Sequence, residues 1–263
     1  MVKILGISGK KQSGKNTAAN HIHGCALVES GLIKGFYINN DGGGLAILTA
    51  DRTGVEDYGI LDVTRQDEEF ISYAEREIWP HIKMYSFANG LKNICIDFFG
   101  ITHNQVYGTD KQKNQEVPHL LWENMLLNPL TQAEGVGGQL KTGPMTAREF
   151  MQYFGTDIMR KIYEPVHVNH TVNRILAEQT QLAIIPDVRF PNEVKAIQDV
   201  GGKVVRLTRS NHEDTHSSEC GLDPENFDWD QFDLVIENDG SLQDTLEDVH
   251  KMYTSLVTTG KLC

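Results

Sequence analysis

No apolar run in this chain approaches the ~20 residues needed to cross a bilayer, so no membrane-spanning helix is expected. A signal-peptide pattern is missing too: Lys3 is followed by a strand-length apolar run and then by glycines, and no secretory leader is expected. Cysteine is scarce. Cys25, Cys95, Cys220 and Cys263 stand far apart with no C-x-x-C pair, so they read as ordinary thiols of a reducing cytoplasm and predict no zinc site. Positive charge is short as well, with 24 basic residues against 36 acidic and a formal charge of −12. That balance argues against non-specific binding to DNA or RNA, which is driven by phosphate neutralisation. It leaves nucleotides open, because a handful of converging Arg and Lys side chains makes a local positive pocket. With 40% hydrophobic residues over 263 positions, a full core is affordable, and one α/β domain with insertions is expected.

The clearest positive signal is residues 3–17, KILGISGKKQSGKNT. An apolar run (Ile4, Leu5, Ile7) leads into Gly9, four residues intervene, and Gly14-Lys15 opens a predicted helix. This is the G-x-x-x-x-G-K part of the P-loop signature, in the expected strand-to-helix context. Glycines let backbone N–H groups turn inward around a polyphosphate, Lys15 adds a point charge, and the helix end adds donors and a favourable dipole. A glycine-rich surface turn beside a lysine is the plain alternative, and the strand-to-helix context argues against it. One position departs from the signature: Asn16 stands where Ser or Thr is expected, and a hydroxyl comes only at Thr17. In many P-loop proteins that first hydroxyl ligates magnesium. Here the metal would be held through water, by another residue, or by the Asn16 amide oxygen. The G-K-x-T spelling is similar to that of nucleoside monophosphate kinases, more than to that of GTPases or motor ATPases.

Thr17 to about Glu29 predicts a helix carrying the phosphate site on its first turn, with His21 and His23 on its surface. Residues 31–80 read as an insertion containing Gly42-Gly43-Gly44, a hairpin, and a helix over 67–78. Residues 82–87 predict a second core strand and 88–99 a helix. Lys92 sits near that strand's end, where open parallel sheets bind ligands; a solvated lysine is the alternative. Residues 108–144 predict loops with a short helical piece near Leu120 to Leu127. T-A-R-E, Thr146 to Glu149, reads as a capping box for a helix carrying Phe150, Met151 and Phe154. Gly155-Thr156 interrupts that helix and 157–163 resumes it, which puts Arg148 and Arg160 on neighbouring segments able to converge on an anion.

Residues 169–180 predict a helix with Val172, Ile175 and Leu176 inward. Residues 182–186, LAIIP, read as a buried strand ending at Asp187-Val188-Arg189, a place where phosphate-binding enzymes put an acidic metal partner. Pairing with Arg189, or capping the next helix, is the other reading of Asp187. Pro191 suits a first helical turn, Gly201-Gly202 ends that helix, and 203–207 predicts a strand leading to Arg206 and Arg209. His212, Glu213, Asp214, His216 and Glu219 then invite a metal-site reading, but no predicted helix would fix their geometry. A last strand over 233–236 passes through the turn Asn238-Asp239-Gly240 into a helix capped by Ser241, with Leu242, Leu246, Val249, Tyr253 and Leu256 along one side. Five strands (3–8, 82–87, 182–187, 203–208, 233–237), mostly separated by helices, predict an α/β P-loop kinase fold with a parallel sheet and helices on both faces.

Together, GKKQSGKNT, SFANGLK (86–92), TAREFMQYFGTDIMR (146–160), IIPDVRFPNE (184–193) and the segment from RLTR to DTHSSE (206–219) resemble the deoxynucleoside monophosphate kinases of tailed bacteriophages. The loop is shared by many unrelated families; F-G-T-D-x-x-R and D-V-R-F-P-N-E in this order are far more specific. The family's loop usually reads G-K-D-T, so Asn16 replaces an acidic residue. The chain then reads as a single kinase domain over 1–263, with the insertion at about 31–80, an acceptor-site helical region at about 88–180 and a lid-like segment at about 206–225. The resemblance implies transfer of the γ-phosphoryl group of ATP to a deoxynucleoside 5′-monophosphate, for phage DNA synthesis in the cytoplasm of an infected bacterial host. It implies ATP on Gly9, Ser13, Gly14, Lys15, Asn16 and Thr17, with Arg206 and Arg209 in a closing lid. Mg²⁺ would be held by Asn16, Thr17 and Asp187, and the acceptor by Lys92, Arg148, Gln152, Arg160, Asp187 and Arg189. Lys15, Arg148, Arg160 and Arg189 would stabilise the transferring charge, and the acceptor phosphate needs no general base. Neither nucleic acid nor membrane is an expected partner, and a homodimer is the default assembly. The competing readings are another small-molecule P-loop kinase, similar to dephospho-CoA kinase, and a non-catalytic nucleotide-binding regulator.

Overall fold

The apolar runs at 3–9 and 182–188 are buried almost throughout, which is what a parallel strand covered by helices on both faces requires. A computed structural model describes residues 2–50, 53–65, 67–128, 140–209 and 221–255. Its chain divides into two compact units, Met1–Phe87 with Thr171–Cys263, and Ala88–His170.

In the first unit, β1 (Lys3–Gly9) is the middle strand of an all-parallel sheet, flanked by strands that come far later in the chain. With β5 (Ile82–Met84), β8 (Leu182–Val188), β9 (Lys203–Thr208) and β10 (Leu234–Glu237), the order is β10-β9-β1-β8-β5. The expected five strands and parallel α/β sheet are all present, although β5 stops at Met84 and not at 87. Helices α1 (Lys15–Glu29), α2 (Glu68–Glu77), α9 (Pro191–Asp199) and α10 (Leu242–Met252) belong to this unit. Leu5, Ile7, Ile22, Ile82, Ile184, Leu207 and Val249 meet in its core. A helix α8 (Val166–Glu178) precedes β8; Val172 and Ile175 are buried there, but Leu176 is 41% exposed, against the expected inward position.

The insertion after α1 is a three-stranded antiparallel sheet, β2 (Phe36–Ile38), β3 (Leu45–Ala50) and β4 (Glu56–Leu61), so β2 adds to the expected hairpin. Its seat on α1 depends on Gly24, where a Cβ would run into the Phe36 ring. Asn20 Nδ2 adds a 2.9 Å hydrogen bond to the Gly43 carbonyl. The expected surface histidines of α1 are inside: His23 is 1% exposed and its imidazole is pushed down to about 3 by burial, while His21 is half-buried and held at about 4 by burial and by His250. The helix expected over 67–78 is α2, with the Asp67 side chain capping the Phe70 N–H.

The second unit has its own core, in which Leu91, Cys95, Val117, Trp122, Met145 and Phe150 pack together. It holds α3 (Asn89–Asp97), α4 (His103–Tyr107), α5 (Asp110–Lys113), a ribbon of β6 (Glu116–Leu121) with β7 (Pro144–Thr146), α6 (Ala147–Gln152) and α7 (Arg160–Ile162). The helical piece expected near Leu120 to Leu127 is only a single 3₁₀ turn, Trp122–Asn124, at the end of β6. The capping box at Thr146 and Glu149 forms as read, each side chain bonding the other's backbone N–H. Gly155-Thr156 does not interrupt the helix. The segment Tyr153–Met159 widens into a π-helix that joins α6 to α7.

The carbonyl of Gly155 in that π-helix accepts a 3.1 Å bond from the buried His167 Nε2–H. Burial depresses the basicity of His167, the Gly155 bond partly opposes it, and Arg160 and His170 add to the depression. The unfolded chain therefore takes up this proton first as pH falls below the ordinary value of 6.5, and stability is lost from there downward until the folded pKa is reached. Urea midpoints should drop between pH 7 and pH 5. His21 and His23 contribute to the same drop, so His167→Gln, which keeps an N–H donor but cannot titrate, should make it shallower without abolishing it; an unchanged slope would refute the His167 contribution. Among the described residues, no helix is long and apolar enough to cross a membrane.

Candidate active site

At the end of β1 the chain turns sharply and enters α1 through Gly14, whose φ of 91° is left-handed. A Cβ there would also lie 2.7 Å from Asn238 Nδ2, so conformation and space both call for glycine. The first turn of α1 has no side-chain cap and no acidic residue. Its N–H groups and the positive end of the helix dipole are therefore left uncapped, a place suited to an anion. By contrast α4, α5, α6 and α10 each close their first turn with a capping box. Lys15 folds back on the loop, its Nζ donating to the Gly9 carbonyl at 2.6 Å and the Lys10 carbonyl at 2.5 Å. These neutral acceptors are what phosphate oxygens would replace with stronger, charge-assisted bonds. Ser13 is buried, with a hydroxyl that has no hydrogen-bond partner among the described residues. Asn16 is exposed and Thr17 half-buried on the first turn.

Several supports of this loop were not legible as such in the sequence. Asn238, read only as a turn residue, is 8% exposed and donates from Nδ2 to the Ser13 carbonyl at 2.9 Å, while its Oδ1 accepts from the Thr245 hydroxyl. Asp223 reaches Lys10 Nζ at 3.0 Å and Arg206 Nη2 at 3.4 Å, and Arg206 Nη1 donates to Ser8 Oγ at 2.9 Å. Arg206 is thus a buried residue of β9, 4% exposed and stacked 5.3 Å from the Trp229 ring, not the start of a lid. The strand's register dictates this, since Arg206 lies directly opposite Ser8. Arg209, in contrast, is exposed and donates to the Gln12 carbonyl at the loop's edge, at 3.5 Å. His212, Glu213, Asp214, His216 and Glu219 lie outside the described residues.

Ser8 of β1 pairs with Val188 of β8, so Asp187 and Arg189 emerge from the same edge of the sheet as the loop. Asp187 accepts from the Ser86 hydroxyl through Oδ2, while its Oδ1 is buried with no hydrogen-bond partner among the described residues. A buried carboxylate oxygen in that condition is a suitable cation ligand, so the donor set fits a magnesium ion. Capping of the next helix, the other reading of Asp187, falls to Glu193, whose carboxylate accepts from the Arg189 and Phe190 N–H groups.

The remaining expected residues belong to the second unit. Arg148 and Gln152 share one face of α6, four residues apart. Arg148 Nη2 is 2.6 Å from Asp110 Oδ1, a largely exposed pair. Lys113, in a stretch read as loop, joins them: burial lowers its pKa, Asp110 opposes this, and Arg148 adds to it. Lys92 Nζ stands 4.5 Å over the Tyr107 ring, and Arg160 opens α7 after the π-helix.

A family model for deoxynucleotide monophosphate kinases matches residues 81–249. A protein of Acanthamoeba polyphaga mimivirus, described as "Putative deoxynucleotide monophosphate kinase", is 27% identical over 173 residues, 60% of this chain and 76% of that protein. The deoxynucleotide monophosphate kinase of Escherichia phage RB69 is 27% identical over 113 residues, 40% of this chain and 43% of that one.

Proposed function

The chain belongs to the deoxynucleotide monophosphate kinase family, and on that premise we propose that it transfers the γ-phosphoryl group of ATP to a deoxynucleoside 5′-monophosphate, with Mg²⁺ as cofactor. The observation that carries the donor half is the uncapped first turn of α1 entered through a left-handed Gly14, with the Lys15 ammonium held across the loop carbonyls. On this reading the loop N–H groups cradle the β- and γ-phosphates and Lys15 turns from Gly9 and Lys10 to bridge them. Asp187 and Thr17, with Asn16, would hold the metal, which when bound neutralises charge on the phosphate oxygens. Of the two arginines first assigned to ATP, Arg209 is the one exposed at the loop, and Arg206 is a support.

For the acceptor, Lys92, Arg148, Gln152, Arg160 and Arg189 supply the donors for a second phosphate and its base, and Lys113 adds another cation. The bond between Arg148 and Asp110 is no obstacle, because an exposed ion pair contributes only about 0–1 kcal/mol and a dianionic phosphate is the better partner. Catalysis is then positioning of two anions in line and stabilisation of the charge between them. The relative from Escherichia phage RB69 supports a setting in an infected bacterial host, supplying precursors for phage DNA synthesis.

The test is a panel of deoxynucleoside monophosphates with ATP and Mg²⁺, scored for diphosphate formation, with nucleosides and dephospho-CoA alongside. Diphosphate from at least one deoxynucleotide is expected. Transfer to dephospho-CoA alone, or tight nucleotide binding with no transfer to any acceptor, would overturn the proposal.

A further inference from the structure

Away from the phosphate loop, His21 and Cys25 stand four residues apart on one face of α1, and His250 approaches them from α10. Their ligand atoms all lie within 4.8 Å of one another. Cys25 Sγ and His250 Nδ1 are 3.5 Å apart. Tetrahedral zinc with bonds of about 2.3 Å to sulfur and about 2.0–2.1 Å to nitrogen sets a sulfur-to-nitrogen edge of about 3.5 Å. Both ring nitrogens of His21 are buried without a hydrogen-bond partner among the described residues, an expensive condition for an imidazole that a ligated ion would relieve at one of the two. The two histidines meet edge to face, with ring centroids 5.7 Å apart. They open onto a cleft of 660 Å³ between α10 and the insertion sheet, lined also by Tyr37, Asn40 and Leu246.

We propose that His21, Cys25 and His250 bind one Zn²⁺ ion, with a fourth coordination position open to the cleft. One sulfur and two imidazole nitrogens suit a borderline-soft transition ion and not magnesium or calcium, which take oxygen ligands. The site is therefore chemically separate from the magnesium position at Asp187, and it stands whether or not the phosphotransfer reading does. Binding displaces the Cys25 thiol proton to solvent as the zinc–sulfur bond forms, and it ties α1, the helix that starts at the phosphate loop, to α10. The scattered cysteines gave no hint of this, because two of the three ligands are histidines and one of them, His250, lies on the last described helix.

The full chain, stripped of metal by a chelator and free of nucleotide, should take up one equivalent of Co²⁺ with a sulfur-to-cobalt charge-transfer band. Zn²⁺ should displace the cobalt, abolish the band and raise the unfolding temperature. Cys25→Ser should lose the band, and His250→Ala should weaken cobalt binding at least ten-fold. His250 is exposed, so that variant tests the site even should Cys25→Ser fail to fold. No charge-transfer band in the parent chain, a band that persists in Cys25→Ser, or undiminished affinity in His250→Ala would overturn the proposal.

Discussion

Lys15→Ala should lower phosphoryl transfer by at least ~100-fold, because on the proposed function it removes the charge that meets the transition state where it becomes most negative. The ammonium also has a resting role, since it bonds the Gly9 and Lys10 carbonyls across the loop. A change in loop shape and a loss of chemistry are therefore to be separated. Thermal unfolding of the variant reports the first, and the split between kcat and KM for ATP reports the second. A fall mainly in kcat, with unfolding little changed, is the expected result. Near-normal turnover would mean that the loop does not hold the transferring phosphate.

The second large effect concerns stability. Asp223→Ala should cost about 3 kcal/mol, the loss found when one partner of a buried ion pair is removed and the other charge stays inside. Arg206 is 4% exposed and stacked near Trp229, so it has no route to water once Asp223 is gone. The opposite truncation, Arg206→Met, should cost less. It replaces the guanidinium by an apolar chain and leaves Asp223 its bond to Lys10 at 3.0 Å. Urea denaturation of the two variants tests this asymmetry, and equal losses, or a loss below about 0.5 kcal/mol for Asp223→Ala, would contradict it.

The buried strands were legible in the sequence because parallel strands covered on both faces need uninterrupted apolar runs, and LAIIP at 182–186 is one. The phosphate loop was legible for a similar reason: its chemistry is local, so glycines, lysine and helix start lie within a few residues of one another. Arg206 was misread because a charged residue near a strand end ordinarily points to water. What inverts that rule is a carboxylate at Asp223, and nothing in the spacing announces the pairing. Burial of His23 was hidden in the same way, since the insertion sheet packs on α1 through the Gly24 and Phe36 contact, which the sequence does not advertise. The π-helix at Tyr153–Met159 was taken for a break because Gly155 disfavours an ordinary helix; the wider turn keeps the chain helical around it. Lys113 was lost in a stretch whose composition reads as loop, although two capping boxes, at Thr102 and Thr109, sit in or beside it.

The middle position of β1 has a consequence for the order in which this chain can fold. Lys3 pairs with Leu182 and Leu5 with Lys203, so β1 has no neighbour in its sheet until about 180 further residues have been synthesised. Closing such long loops is entropically slow, and contacts this distant in sequence predict folding far slower than that of helical domains. During synthesis the phosphate loop cannot be held in shape at first, because its two flanking strands and the Asn238 support follow it by more than about 160 residues. The second unit draws all its core from residues 88–170, so it can form before β8 leaves the ribosome. The nascent chain is thus expected to carry a folded second unit while the phosphate loop is still unformed, and on the proposed function nucleotide binding becomes a late event in the protein's own biogenesis.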